Sequence, residues 1–476
     1  MNKNKITIAL ALAALMASPV ADGKSYKRGV SENRFQYHAQ IEAVGPGVTW
    51  FYNWANTLGA YIADQEHLEF VPMVWNGNFS PDNIRKYAKE HPDCKYLLGF
   101  NEPNFKSQAN MTPQVAAQRW PEVKALADEL GLKLVAPALN YSPDAPYTQP
   151  TVWMDEFVKL VGSDAFDFTA IHFYGGLGGM KDLATTFHER YGKPVWVTEF
   201  CYWPGEMGDV SVDSQLNSMV ETVEWLEKTE WIYRYAWFKA TEESRANFKL
   251  VESGRGEDAR ELTELGYVYL YMSTFDADKY YEVGETVAAS NYINRQFAML
   301  GKGANPDCPE PIEISTFNSG ATVDYQFDIP SDGDYNIELT VSGFGEPTRF
   351  DPKLSVVTVN PDGTESAPLT SLSFGLPNSN TDYKSVLFPT TLKAGKQTIR
   401  FKDENIYAPS GLRISTVKVA DMAGIDDVAA DNAVEGLVDV VNLQGVVLRR
   451  GVSRSEAING LPAGLYIVGG EKTLVK

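Results

Sequence analysis

The chain is poor in residues that cross-link or metallate a fold. Its 476 residues hold 3 cysteines and 5 histidines. Cys94, Cys201 and Cys308 are too few, and odd in number, for a disulfide framework. A Cys94–Cys201 bridge is compatible with the fold expected below, but free buried thiols are the simpler reading. There is no HExxH and no CxxC, and the histidines show no metal-ligand spacing, so no metal and no cofactor are expected. Long apolar runs are missing as well. After residue 16 no segment is long and apolar enough to span a bilayer. Positive charge is scarce: 42 Lys and Arg stand against 62 Asp and Glu, giving a net charge of −20 and a pI near 4.8. Such a chain repels phosphate backbones, so nucleic acid is excluded as a natural partner. A neutral glycan carries no such penalty.

Aromatic residues, by contrast, are plentiful: 12% of the chain, with 10 Trp and 24 Tyr. They serve large cores or stacking sites for ring-bearing ligands, and composition alone favours cores. The opening "MNKNKITIALALAALMASPVADG" has the pattern of a signal peptide over residues 1–21. Lys3 and Lys5 make the positive start, Ile6 to Met16 the apolar run, and Ala17, Ser18 and Ala21 offer a cleavage site. The chain therefore reads as a secreted or cell-surface monomer.

From Lys27 to about Ala240, eight strand-like runs alternate with helix-like stretches. They are "KRGVSEN", "VTWFYNW", "EFVPMVW", "YLLGFNE", "LKLVAPAL", "FDFTAIHFYG", "PVWVTEF" and "YRYAWFKA". Most are continuously apolar, as parallel strands buried on both faces are. A helix is expected from Thr112 as N-cap, with Pro113 first, to Gly131; others start at Trp153 and Ser211. Eight such units predict an α/β fold, a (β/α)8 TIM barrel over residues 26–275. A doubly wound open sheet is the alternative, but no GxGxxG follows the first strand.

Over residues 276–421 the pattern changes to period-two runs punctuated by "SDGD", "NPDG" and "KAGK", which predicts an antiparallel β-sandwich. A polar linker at 422–435 leads to a small all-β tail at 436–476.

In a (β/α)8 barrel, polar residues at the C-terminal strand ends carry function. Glu102 is expected to end the fourth strand and Glu199 the seventh, facing each other across the barrel mouth. Two facing carboxylates suit glycoside hydrolysis: one, protonated, serves the leaving oxygen, and the other attacks the anomeric carbon or activates water. Asn101 would bond a sugar hydroxyl beside the reacting carbon, and Pro103 would fix how Glu102 leaves the strand. Tyr174 could donate to Glu199, and His172 stands beside it at the end of strand six. Trp237 could floor the reacting sugar. Asn53, Trp54, Trp75 and Trp203 are outer-subsite candidates, with Asn76, Asn140, Tyr141 and Tyr202 behind them.

"GFNEPNF" and "PVWVTEFCYW" resemble the acid/base and nucleophile motifs of the clan A retaining glycoside hydrolases. With "WFYNWAN", "FVPMVW", "LVAPALN", "IHFYGG" and "YAWF" in order, Lys27 to Glu243 resembles glycoside hydrolase family 128, the glycosyl hydrolase catalytic-core family of β-1,3-glucanases. The resemblance implies a retaining mechanism on β-1,3-glucan, with Glu102 as acid/base and Glu199 as nucleophile. The open alternatives are another clan A β-glycanase (mixed-linkage β-glucan, xylan or cellulose) and a surface glycan-binding protein without catalysis. The β-sandwich resembles a carbohydrate-binding module of the family 6/35 type, with Tyr325, Phe344 and Tyr407 as aromatic candidates. The tail, with "VNLQGVVLRR" and "GLPAGLYIVGG", resembles a type IX secretion sorting domain.

Overall fold

The structure is a computed structural model. It describes residues 24–475 except 34, 59–67, 204–209, 242–245, 253, 255, 257–259, 305–307, 318, 344–349, 406–409, 423–436, 443–446, 454–455, 462–463 and 470. The signal-peptide pattern, nearly all of the expected linker, Phe344 and Tyr407 lie outside the described residues. The chain divides into two compact units, Met1–Thr274 and Phe275–Lys476.

The first unit is built on eight parallel strands: β1 (Arg28–Ser31), β2 (Trp50–Tyr52), β3 (Glu69–Phe70), β4 (Tyr96–Leu98), β5 (Lys133–Leu139), β6 (Phe168–Phe173), β7 (Val195–Phe200) and β8 (Ile232–Phe238). They form one sheet in the order β3-β2-β1-β8-β7-β6-β5-β4. This is a TIM-like α/β arrangement, with one departure from the expected barrel: no ladder joins β3 to β4. Among the described residues these outer strands meet through a single parallel bridge, Met73 with Leu98. Val74 N donates to Leu98 O at 2.9 Å, and Leu98 N to Pro72 O at 3.0 Å. Pro72 can accept but has no N–H to give, so the ladder cannot extend through it.

Bulky rings fill the interior of the sheet. Trp50, Tyr52, Tyr96, Phe168, Trp196 and Tyr233 form one buried cluster with Val71, Met73, Leu98 and Val135. The Arg234 guanidinium sits over Tyr96, Trp50 and Trp196, 4.6–5.5 Å from the ring centres, and pairs with Glu69. A charge is tolerated there because aromatic faces and a carboxylate surround it.

Helices follow the strands where the sequence signals them. Pro113–Leu130 starts behind Thr112, whose hydroxyl accepts from Val115 N, and ends at Gly131 in the left-handed conformation; both ends suit their caps. Val212–Lys228 is capped by Ser211. Glu264–Tyr271, near the end of the expected barrel span, is a helix of the first unit, capped by Thr263. Beneath the sheet Arg28 is fully buried. It bonds Glu227, Tyr235 and the carbonyls of Tyr269, Met272 and Ser273, so every face of the charge is answered.

In the second unit, residues 281–421 form two six-stranded, mostly antiparallel sheets. Their inner faces meet where the Phe388 ring of one lies 5.8 Å from Phe401 of the other. Tyr325 is fully buried there and donates to Ala289 O, so it packs the core and presents no surface ring. Strands Leu437–Asn442, Val447–Ser453, Gly464–Val468 and Glu471–Val475 make a separate four-stranded sheet. Cys94, Cys201 and Cys308 are all free thiols.

Candidate active site

The site is assembled at the C-terminal ends of the parallel strands. Glu199 lies within β7 itself. His172 lies opposite it on β6, as its register partner. Glu102 comes four residues after β4 ends, not on the strand end itself. Asn101 forms a bridge with Ala138 of β5, and Glu102 N donates to Ala138 O at 2.9 Å. Glu102 then turns through a left-handed backbone, φ 41°, which an L residue adopts only when its surroundings hold it there. That turn aims the carboxylate back over the sheet.

His172 is wedged between the two carboxylates. Its Nδ1 is 2.9 Å from Glu102 Oε1, and its Nε2 is 3.4 Å from Glu199 Oε1 without the alignment of a hydrogen bond. One donor atom from each of Glu102, His172 and Glu199 falls within a 4.8 Å group, and all three residues are buried. Such a trio could converge on a cation. Glu199, however, is already reached by three donors, Tyr52 sharing its one hydrogen with Thr198 O, which leaves it poorly suited as a ligand. Tyr52 OH donates to Oε1 at 3.0 Å, Trp54 Nε1 to Oε1 at 2.7 Å, and Tyr174 OH to Oε2.

These contacts set the charges. Burial raises the Glu199 pKa, the His172 charge opposes that, the Glu102 charge adds to it, and the bonds from Tyr174 and Trp54 oppose it; the balance stays above the usual carboxylate value. Burial disfavours the His172 imidazolium, but the Glu199 charge and the bond to Glu102 outweigh burial and raise its pKa. Burial first, then the Glu199 charge, pushes the Tyr52 and Tyr174 phenols well up, so both remain donors. The protonation of Glu199 and that of His172 therefore depend on each other.

Aromatic walls surround the carboxylates. Phe238 lies 6.0 Å from the Trp54 ring and 5.4 Å from Tyr174, and Trp203 lies 5.6 Å from Tyr174. Trp75 packs half-buried against the interior cluster.

Three expected sugar contacts are placed elsewhere. Trp237 is 0% exposed, with its ring against Phe200 and Tyr269 and Nε1 donating to Phe248 O. It faces the helical layer, and its neighbour Phe238 takes the cleft side, because successive strand residues point to opposite faces. Asn53 is spent on its own loop: Nδ2 donates to Thr57 O, and Oδ1 accepts from Ala55 N. His172, also 0% exposed, touches the two carboxylates and no surface open to a sugar. Of the lesser candidates, the Asn76 and Asn140 side chains likewise accept from nearby backbone N–H groups, of Asn78 and Tyr141. Asn101 Nδ2 donates to Gln108 at 3.3 Å, while its Oδ1 is buried and unpartnered. Tyr52 and Phe238 were missed. The alternation Trp50-Tyr52-Trp54 was a signal for Tyr52, since one face of the strand must carry all three.

The model of a family described as glycosyl hydrolase catalytic core matches residues 29–269. The chain belongs to that family. It is a glycoside hydrolase. Among solved structures it is similar to an endo-β-1,3-glucanase of glycoside hydrolase family 128, subgroup II, from Pseudomonas viridiflava: 36% identity over 52% of this chain and 98% of that one, TM-score 0.47. A subgroup II enzyme from Sorangium cellulosum shows 32% identity over 52% and 98%, TM-score 0.46. A subgroup III curdlan-specific exo-β-1,3-glucanase from Blastomyces gilchristii shows 29% over 53% and 100%, TM-score 0.42. No curated relative matches the chain. This glycosyl hydrolase therefore carries its family's core in the first unit, around the Glu102–His172–Glu199 group.

Proposed function

We propose that this glycoside hydrolase cleaves β-1,3-glucosidic bonds of β-1,3-glucan with retention of configuration. The observation that carries the mechanism is the unequal treatment of two adjacent carboxylates. Glu199 accepts from Tyr52, Trp54 and Tyr174. These donors oppose, without cancelling, the burial that raises its pKa, and they fit Glu199 as the nucleophile. Glu102 accepts from His172, the single side-chain donor to it among the described residues of this site, and serves as acid, then base. A group spanning under 4.8 Å fits the short separation of retaining enzymes, about 5–5.5 Å, better than the wider inverting geometry.

In the first step Glu199 attacks the anomeric carbon while Glu102 gives its proton to the leaving oxygen. A covalent glycosyl–Glu199 intermediate forms. In the second step the Glu102 carboxylate takes a proton from water, whose oxygen displaces Glu199 and restores the β-configuration. Asn101, next to Glu102 and with its Nδ2 in only a long 3.3 Å bond to Gln108, is the candidate donor to a sugar hydroxyl beside the reacting carbon. Support for the substrate comes from the relatives of 36% and 32% identity, both described as endo-β-1,3-glucanases.

Proton NMR of fresh digests tests this reading. Laminari-oligosaccharides should release β-anomer first, and oligosaccharides of cellulose, xylan and lichenan little product. Early α-anomer would mean inversion. Faster cleavage of another glycan would move the substrate to another clan A β-glycanase activity, and binding without any turnover would favour the non-catalytic reading. Export follows from the same sequence reading, supported by the Ile6–Met16 run and the tail motifs. Finding the protein in the medium or on the cell surface would bear it out.

A further inference from the structure

The segment that carries Glu102 is held both from within, by Phe105 N to Glu102 O, Ala109 N to Asn101 O and Met111 N to Pro103 O, and from outside. After its left-handed turn the chain loops from Pro103 to Met111 before the next helix, and its side chains reach across to the loop after β5. Asn104 is 4% exposed. Its Nδ2 donates to Asn140 O at 2.8 Å and to Tyr147 O at 3.3 Å, and its carbonyl accepts from Ser142 Oγ at 3.0 Å. Two residues on, Lys106 N donates to Asp144 Oδ2 at 2.7 Å, and Lys106 Nζ lies 3.5 Å from Asp144 Oδ1. Asp144 is itself set by Ser142 Oγ, which accepts from Asp144 N. Ser142 thus ties both halves together, accepting from one side and donating to the other.

From this geometry we infer that Asn104 and Asp144 are positioning residues for the acid/base. They clamp the loop after β4 onto the loop after β5 and hold the Glu102 carboxyl where the leaving oxygen arrives. The physical need is plain. Glu102 occupies a backbone conformation that a glutamate does not keep unaided. Its carboxyl must stay within a fraction of an ångström of the leaving oxygen, and a misplacement near 1 Å costs on the order of 100-fold. Neither Asn104 nor Asp144 touches the reacting atoms; each acts through Glu102. The inference rests on the reading of Glu102 as the acid.

The test compares leaving groups. Proton donation matters for a poor leaving group and little for a good one. The variants Asn104→Ala, Asp144→Ala, Asp144→Asn and Glu102→Gln are assayed by kcat/KM, which reports the first step, on laminari-oligosaccharide and on a dinitrophenyl β-laminaribioside. Asn104→Ala and Asp144→Ala should lose about 10–100-fold on the oligosaccharide and less than about twofold on the aryl glycoside. Asp144→Asn keeps an oxygen for Lys106 N and should stay close to the parent on both. A merely structural role would lower both substrates alike, and that result would overturn the proposal. So would an Asp144→Asn loss equal to that of Asp144→Ala. The Asp144 pair, on a more exposed side chain, decides the matter if Asn104→Ala does not fold. Glu102→Gln separates the two claims: no leaving-group dependence there sinks the acid assignment itself, whereas dependence in Glu102→Gln alone sinks only the clamp.

Discussion

His172 Nδ1 lies 2.9 Å from Glu102 Oε1, with the imidazole fully closed to solvent and the carboxylate nearly so. The imidazole is thus buried against one carboxylate with Glu199 on its far side. Its raised pKa must show in stability. A histidine whose folded pKa is raised stabilises the fold fully below its ordinary value, near 6.5, and that stabilisation is lost as the pH climbs through the folded value. Glu199, a carboxyl with a raised pKa, works in the same direction: its ionisation costs stability as the pH rises above the ordinary carboxylate range. The Tm of the ligand-free protein should therefore fall as the pH rises above about 7, and His172→Gln should shrink that fall. Calorimetry across pH 6–9 checks it; identical slopes in both proteins would refute it.

The donors on Glu199 should show in kcat. Tyr174→Phe removes the donor to Oε2 and leaves the ring packing against Trp203 and Phe238. Losing one fixed donor at a site of changing charge costs on the order of 100-fold in kcat. KM should change much less. Steady-state kinetics on laminari-oligosaccharides reads both, and an unchanged kcat would remove Tyr174 from the mechanism.

Two neighbouring aromatics should part company. Trp237→Ala empties a fully buried site between Phe200 and Tyr269 and should cost about 3–5 kcal/mol, seen as a lower urea midpoint. Phe238→Ala should leave the midpoint close to the parent but raise KM severalfold, through loss of a cleft wall. Reversed outcomes would mean that the strand faces are misassigned.

Glu227→Ala strips Arg28, Ser25 and Tyr235 of a common acceptor beneath the sheet. An uncompensated buried guanidinium costs about 3–5 kcal/mol. The molecules that remain folded should keep the parent kcat, since the network lies at the opposite end of the strands from Glu102 and Glu199. Active-site titration alongside thermal unfolding separates the two effects.

Much of this was legible in the chain. Continuous apolar runs located the eight strands, because parallel strands buried on both faces need no alternation. Glu102, Glu199, Tyr174 and Trp54 could be placed because polar and aromatic residues just past apolar runs fall at strand ends. What failed was facing. The residues on the carboxylate side are Phe238 and Tyr52, each one position from the expected Trp237 and Asn53, and one position moves a side chain to the other side of the sheet. The run itself does not say which parity points inward when both faces are apolar. The Asn104–Asp144 clamp was invisible for another reason: it joins two loops 38 residues apart in sequence, and no periodicity links loops. Pro72, inside the apolar run "EFVPMVW", is the signal for the missing β3–β4 ladder.

Glu199 on β7 takes hydrogens from Tyr52 and Trp54, 147 and 145 residues earlier in the chain. A nascent or half-folded molecule therefore has an incomplete nucleophile environment: Tyr174 comes with the neighbouring β6, but the Tyr52 and Trp54 donors arrive only when the sheet has wrapped far enough to bring β2 opposite β7. Hydrolysis is then a clock for folding. In a refolding experiment its return should trail the return of helical signal and keep step with the last strand to dock, and fragments truncated before β7 should be silent toward glucan however well their own helices form.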